Sequence, residues 1–180
     1  MMPIPLQSVS PIALLTAAFG LAFAAGDAQA MTLVHSFIQN ATGACQSALP
    51  AFDGQIRKRP LAIQNEGNAS AFVSCSLMGT DRSVAGIFVI QVLADNNTAS
   101  SVSLTCTLVT GLSKFGTQQF LPKTITMPAN SGGLTNVLGW NRLDNGGMFF
   151  NNFTVNVNCN LPVGTGLSRI SVFFDEDVGA

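Results

Sequence analysis

Polar and apolar residues alternate without exception in SVSLTCTL, residues 101–108. Because successive side chains of a β-strand point to opposite faces, this alternation places Cys106 on an apolar face with valine and leucine, and serine and threonine on the other face. Residues 71–77 and 153–159 repeat the pattern, again with a cysteine in the apolar phase. We therefore predict antiparallel strands that bury one face in a hydrophobic core and turn the other face to water.

Shorter apolar or alternating runs predict further strands at residues 32–38, 61–64, 87–93, 124–127 and 170–174. Residues 87–93 are apolar on both faces except at Gln91, which indicates a central strand covered on both sides. Clusters of Gly, Asn, Ser and Pro separate the runs and are typical of turns. The pattern predicts an all-β fold, an antiparallel β-sandwich of about seven to ten strands held by disulfides, with a jelly-roll connection left open.

The N-terminal segment has the pattern of an export signal. Residues 12–25 are almost wholly apolar, and Ala28-Gln29-Ala30 matches the small-x-small motif that signal peptidase recognises. The first 56 residues contain no Lys or Arg, unlike most signal peptides, and retention of the segment as an anchor is the alternative. We predict a signal peptide over residues 1–30, a single β-sandwich domain over residues 31–180, and a secreted or periplasmic location without a later membrane span.

The charge balance argues against several classes of partner. Removing residues 1–30 deletes Asp27 and leaves eight basic and eight acidic residues, so the mature chain carries no net charge. Such a chain has no electrostatic field to attract nucleic acid, and the basic run Arg57-Lys58-Arg59 is interpreted as an exposed turn before Pro60. Charged residues make up only 9% of the sequence, so charge repulsion is weak and a homo-oligomer is one candidate state.

The four cysteines predict disulfides rather than chemistry. Their spacings of 30, 31 and 53 residues do not form close metal-binding pairs, and His35 is the only histidine that could complete a zinc site. Four cysteines allow three connectivities, and sequence alone does not select one. Our preferred pairing joins Cys45 to Cys75 and Cys106 to Cys159.

No catalytic motif of the GxSxG, HExxH, P-loop or GxGxxG type occurs in the sequence. The densest acidic group, Asp175-Glu176-Asp177, is a candidate carboxylate pair for glycan hydrolysis, yet its place after an apolar strand favours a solvated strand end. The same group, or Asp144 with its neighbours, is a candidate calcium ligand set that lacks the ligand number of an EF-hand loop. We predict a non-enzymatic protein without a cofactor, with a glycan-active hydrolase as the least favoured reading.

Two features suggest a binding surface. Trp140, Asn141 and Arg142 lie between glycine-rich turns, where an aromatic ring beside polar groups is suited to hold a sugar; the alternative is that Trp140 fills the core or covers a sheet edge. The outward Ser, Thr and Asn side chains of the alternating strands form a broader polar surface. A carbohydrate or a protein at the cell surface is therefore the expected ligand.

The C-terminal third carries a resemblance. Cys159-Asn160-Leu161-Pro162, followed by a strand ending in Asp175-Glu176, resembles the ending of small exported bacterial proteins of unknown function, whose earlier strands carry Cys-x-Leu as Cys75-Ser76-Leu77 does here. The resemblance implies an envelope or secreted β-sandwich and no site residues. We predict a binding or adhesion module. A self-associating, fimbria-like subunit is the alternative, although the chain lacks the tyrosine expected near the C-terminus of usher-type pilins.

Overall fold

The computed structural model describes residues 32–77, 83–111, 118–150 and 155–177. Within these ranges the chain forms eleven strands: β1 Thr32–Asn40, β2 Cys45–Ser47, β3 Ile56–Lys58, β4 Ile63–Asn65, β5 Ala71–Leu77, β6 Ser83–Asn96, β7 Val102–Thr110, β8 Gln119–Met127, β9 Val137–Asn141, β10 Val155–Leu161 and β11 Thr165–Asp177. One helical turn, α1 Ala41–Ala44, joins β1 to β2, and 3₁₀ turns span Pro50–Phe52, Gly133–Thr135 and Arg142–Asn145. The predicted signal peptide lies outside the described residues.

The strands form two antiparallel sheets. Sheet A has the order β3-β4-β11-β6-β9, and β1 pairs with β11 along the edge that β4 also uses. Sheet B has the order β2-β5-β10-β7-β8. Every strand pair in both sheets is antiparallel. The predicted antiparallel β-sandwich is confirmed.

The core lies between the two sheets, where the alternation predicted it. Leu104, Cys106 and Leu108 of β7 are fully buried, and β5 and β10 alternate buried and more exposed residues along their whole length. Sheet A contributes Trp140 from β9 and Ile90 from β6 to the same apolar cluster. The period-two pattern therefore identified the inward face of sheet B.

Both disulfides join neighbouring strands of sheet B. Cys45 of β2 lies directly opposite Cys75 of β5, and Cys106 of β7 lies directly opposite Cys159 of β10. The two pairs are bonded and buried, as the preferred pairing predicted. Crosslinks thus tie strands side by side within one sheet, and neither spans the space between the sheets.

Some local expectations were wrong. Three strands, β2, β3 and β9, were not predicted, and the basic run that was interpreted as a turn places Arg57 and Lys58 on the short edge strand β3. β6 is central, between β11 and β9, but its outer face is not covered by another layer of the described chain: Gln91 and Val89 there are half-buried, shielded by neighbouring strands. In the described part of the chain no helix is long and apolar enough to cross a membrane.

Candidate functional site

The outer face of sheet B forms a concave surface of about 440 Å³, which we call the sheet B trough. Its lining comes from four adjacent strands, β5, β10, β7 and β8, and consists of Phe72, Asn158, Asn160, Thr105, Thr107, Val109 and Phe120. These are the outward positions of the alternating strands. The outward polar surface that the sequence predicted is therefore present, and it is concave.

Strand register sets the layout of the trough. Asn160 lies opposite both Phe72 and Thr105. Val109, which follows Thr105 by four residues on β7, lies opposite Phe120. The two phenylalanines therefore stand at opposite corners, separated by roughly 20 Å from strand spacing and rise. Phe72 is 43% exposed and Phe120 is 61% exposed.

The phenylalanine on β5 is held in place from behind. The ring of Phe52, from the 3₁₀ turn Pro50–Phe52, lies 6.1 Å from that of Phe72 at an interplanar angle of 46°. Such tilted aromatic pairs stabilise each other beyond their buried area. One exposed ring of the trough is thus fixed before any ligand arrives.

The floor of the trough holds two unpaired acceptors. The side-chain oxygens of Asn158 and Asn160 are buried and have no hydrogen-bond partner among the described residues. Leaving a buried polar atom unpaired costs about 1–3 kcal/mol, so each amide gains by turning its oxygen toward a donor in the trough. Nearby, the hydroxyls of Thr105 and Thr124 bond each other at 2.8 Å. None of the lining residues carries a charge.

A second concave surface, the sheet A groove, has a volume of about 410 Å³ on the opposite side of the sandwich. Its lining is mostly apolar, with one cation and one anion: Val34, Phe88, Val89, Asn141, Arg142, Leu143, Phe149 and Asp175. The structure therefore brings together two of the three predicted ligand residues, Asn141 and Arg142, with the acidic Asp175.

The third predicted ligand residue, Trp140, does not reach the surface. It lies opposite Ile90 on the inward face of β9, is fully buried, and donates from Nε1 to the Leu121 carbonyl at 2.7 Å. The ring cannot stack on a sugar from this position, because sheet packing covers it. The structure confirms the alternative expected from the sequence, that Trp140 fills the core.

The corner after β9 is built by local hydrogen bonds. The Asn141 side chain accepts from the Leu143 N–H at 2.9 Å, and Asp144 accepts from the Asn141 N–H at 2.8 Å and from Lys123 Nζ at 2.7 Å. Burial alone raises the pKa of Asp144, but the hydrogen bonds from Lys123 and Asn141 and the lysine charge outweigh it and lower that pKa. The corner presents Arg142, whose guanidinium stacks 4.7 Å from the ring centre of Phe149.

The acidic group near the C-terminus does not act as one cluster. Asp175 faces the sheet A groove, whereas the Glu176 carboxylate lies 3.6 Å from His35 Nε2, and the side chain of Asp177 lies outside what is described. His35 itself is an exposed residue of β1, stacked on Phe174. Among the described residues no group of three or more His, Cys, Asp or Glu side chains is arranged to hold a metal ion.

Sequence reasoning missed Phe72 and Phe120. Phe72 could have been found from the sequence, because it occupies an outward position on a strand whose other outward residues are serine. Phe120 lies in residues that were not predicted as strand. Their relation depends on the strand order β5-β10-β7-β8, which no local pattern encodes.

Comparison with known proteins assigns no family to this chain. No family model matches the chain, and no curated protein matches it. Similar solved structures include an exo-β-1,3-galactanase from Phanerochaete chrysosporium with galactose, at 12% identity and a TM-score of 0.41 over 77% of this chain and 29% of that one. A GH26-CBM35 β-(1,4)-mannanase from Podospora anserina has 11% identity and a TM-score of 0.36, over 76% and 27%.

A third similar structure, TmCBM61 in complex with β-1,4-galactotriose, has 8% identity and a TM-score of 0.29 over 79% of this chain and 88% of that one. The chain spans less than a third of the length of the galactanase and the mannanase. At these identities and TM-scores the matches assign no ligand, so a functional assignment must come from the geometry of the two concave surfaces.

Proposed function

We propose that the protein is a secreted or periplasmic, non-catalytic binding module that holds a neutral glycan across the sheet B trough. The observation that carries the proposal is the pair of buried, unpaired oxygens of Asn158 and Asn160, set between two exposed phenylalanine rings. Rotation of either amide toward the trough would offer its oxygen as an acceptor to a ligand that brings donors. Sugar hydroxyls are such donors.

The trough matches the two kinds of surface on a sugar. Phenylalanine rings at its corners offer apolar faces on which the C–H face of a pyranose can stack, while amide and hydroxyl groups of the floor bond the ring hydroxyls. The hydroxyls of Thr105 and Thr107 can rotate to donate or accept. Two rings roughly 20 Å apart favour an extended chain of several sugars over a single one.

A neutral ligand follows from the charges. The trough is lined by asparagine, threonine, valine and phenylalanine, so it offers no ion pair to a uronic or sulfated sugar. Screening by salt weakens interactions between exposed charges and leaves uncharged contacts largely unaffected. Binding should therefore be as strong at high ionic strength as at low.

Holding, rather than cleaving, is the activity this lining supports. General acid–base catalysis needs a titratable side chain within hydrogen-bond reach of the scissile bond. The lining residues include no carboxylate, imidazole or thiol. Two buried disulfides also support an oxidising compartment, in which such bonds persist.

The test is binding of the oxidised protein to a panel of immobilised neutral and acidic polysaccharides. We expect retention on at least one neutral polysaccharide, unchanged in high salt. Phe120→Ala should weaken that binding about tenfold, equivalent to ~1.4 kcal/mol. The matched control is Leu61→Ala, which also removes an exposed apolar side chain but lies beside β4 of sheet A. Equal affinity of the two variants, or retention on acidic polysaccharides alone, would refute the proposal.

A further inference from the structure

The free edges on one side of the sandwich protect each other. β8 and β9 are the edge strands of sheets B and A there, and the Leu121 carbonyl of β8 accepts from Trp140 while the Gly139 carbonyl of β9 accepts from Lys123 at 2.8 Å. β8 also contains Pro122, which has no N–H to offer a further strand. These contacts occupy or block part of both edges.

On the other side, only the short edges are protected. β2 and β3 have three residues each, and β3 carries Arg57 and Lys58. Short length and positive charge are the usual ways in which proteins block edge-to-edge pairing. β1 has neither: it runs for nine residues, pairs only with β11 in the described chain, and contains no proline, lysine, arginine or carboxylate.

β1 also exposes apolar side chains on both of its faces. Val34 is 66% exposed and Ile38 is 57% exposed on the face that continues the outer side of sheet A. On the other face Leu33 is 45% exposed and Phe37 is 36% exposed. A long, uncharged, apolar edge strand is a template for pairing with another strand.

We infer that β1 is an interface at which two copies of this chain pair edge to edge, antiparallel, about a twofold axis through Ser36. In this register all nine residues find a partner: Val34 lies opposite Ile38 of the second copy, and Ser36 lies opposite Ser36. Apolar side chains then meet apolar side chains on the outer face. Such cross-strand pairs stabilise antiparallel sheets.

The occupant is a second copy because β1 complements itself. Pairing about a twofold axis juxtaposes a strand with its own sequence, so a lysine or glutamate near the centre would meet its own charge; the only ionisable residue of β1 is His35. A charged partner strand would meet no Lys, Arg, Asp or Glu side chain of β1 that could neutralise its charge. The neutral balance expected for residues 31–180 likewise leaves no net repulsion between copies.

The twofold axis is perpendicular to the sheet, so it joins the two A sheets into one and leaves both B sheets on the same side. Two sheet B troughs then face the same way. If the proposed function holds, one dimer engages two segments of one glycan, which raises the effective affinity without any new contact. The dimer itself does not depend on that function.

A single strand pair buries little area, so we expect a dimer that dissociates on dilution. Sedimentation velocity of the oxidised protein over a concentration series measures this. Ser36→Lys places two like charges directly across the axis and should abolish the dimer. Its matched control, Thr126→Lys, adds the same charge at an exposed position on edge strand β8 and should leave the dimer intact.

Cysteine crosslinking tests the register. Residues directly opposite in an antiparallel pair have Cα atoms about 4.5–5.5 Å apart, within disulfide reach, so Ser36→Cys should give a covalent dimer under oxidation. Val34→Cys, two residues away on the same face, would lie about 13 Å from its own copy and should not crosslink. A monomer at every concentration, or equal crosslinking by both variants, would overturn the inference, whether or not a glycan binds.

Discussion

Sheet A and sheet B bury apolar faces against each other, yet they turn different surfaces outward. Sheet B presents mainly serine, threonine and asparagine, with Phe72 and Phe120 at opposite corners of the trough, and both disulfides join its strands. Sheet A presents Val34, Ile38 and Val89, and instead of crosslinks it has two long strands, β6 with 14 residues and β11 with 13, paired along most of their length. Covalent bonds therefore accompany the polar sheet, which we expect to need them more.

The largest expected effect comes from removing a disulfide of sheet B. In the chain-entropy model, the double variant Cys106→Ala/Cys159→Ala should lower the free energy of unfolding by roughly 3–5 kcal/mol in a urea titration. The Cys45–Cys75 disulfide closes a loop of 30 instead of 53 residues, so the variant Cys45→Ala/Cys75→Ala should lose about 0.5 kcal/mol less. Wild-type stability in both would show that sheet B does not depend on its crosslinks.

Trp140 tests how much one hydrogen bond between the two sheets contributes to stability. Trp140→Phe leaves the Leu121 carbonyl without its donor and should cost about 2 kcal/mol of stability. Glycan retention should not change, because the ring is remote from the surface. Lost glycan retention at unchanged stability would instead indicate that Trp140 belongs to the ligand site.

Replacing Asn158 should stabilise the free protein, whereas replacing most buried residues destabilises it. Asn158→Val removes an unpaired acceptor and places a β-branched residue on a strand, so the free protein should gain about 1 kcal/mol while glycan retention falls. Asn156→Val, on the same face of the same strand but outside the trough lining, is the control and should change retention little. A destabilised Asn158→Val variant would mean that the side chain supports the fold.

The smallest expected effect concerns the ion pair between the two sheets, Lys123 with Asp144. The folded-state pKa of Asp144 is lowered, so the pair stabilises the protein above the unfolded-state pKa of about 3.9, and this contribution is lost as pH falls through the lower folded value. Because both groups are partly exposed, at most about 1 kcal/mol is involved. Wild type and Asp144→Asn should differ at pH 7 and converge in acid; a gap that persists at low pH would contradict the ion-pair origin.

The sequence predicted most of what is periodic. β5 coincides with its predicted range, and β7 begins within one residue of its predicted start, because seven or more alternating residues define a face. β2 and β3 were missed since three residues cannot establish an alternation, and β9 was missed because Gly139 interrupts one.

The candidate site was less accessible to prediction. Its polar floor followed from the outward phase of the strands. Asn141 and Arg142 were predicted as ligand residues and Asp175 as part of a separate acidic group, and only the structure shows that the three line one groove. Phe72, however, meets the floor only through the pairing of β5 with β10, two strands far apart in the chain. Phe120 pairs with the preceding strand β7, but it lies in the part of β8 that was not predicted as strand. Burial of Trp140 depended in turn on the unrecognised strand that carries it.

Each disulfide closes a loop of chain that leaves sheet B, supplies an edge of sheet A and returns: the first encloses β3 and β4, the second β9. Backbone cleavage inside either loop therefore leaves the pieces covalently attached until the disulfide is reduced. Six of the eight basic residues fall inside these loops: Arg57, Lys58, Arg59, Lys114, Lys123 and Arg142. A protease that cuts after Lys or Arg would nick the protein at these positions without releasing a fragment, except at Arg59, whose bond to Pro60 resists such enzymes.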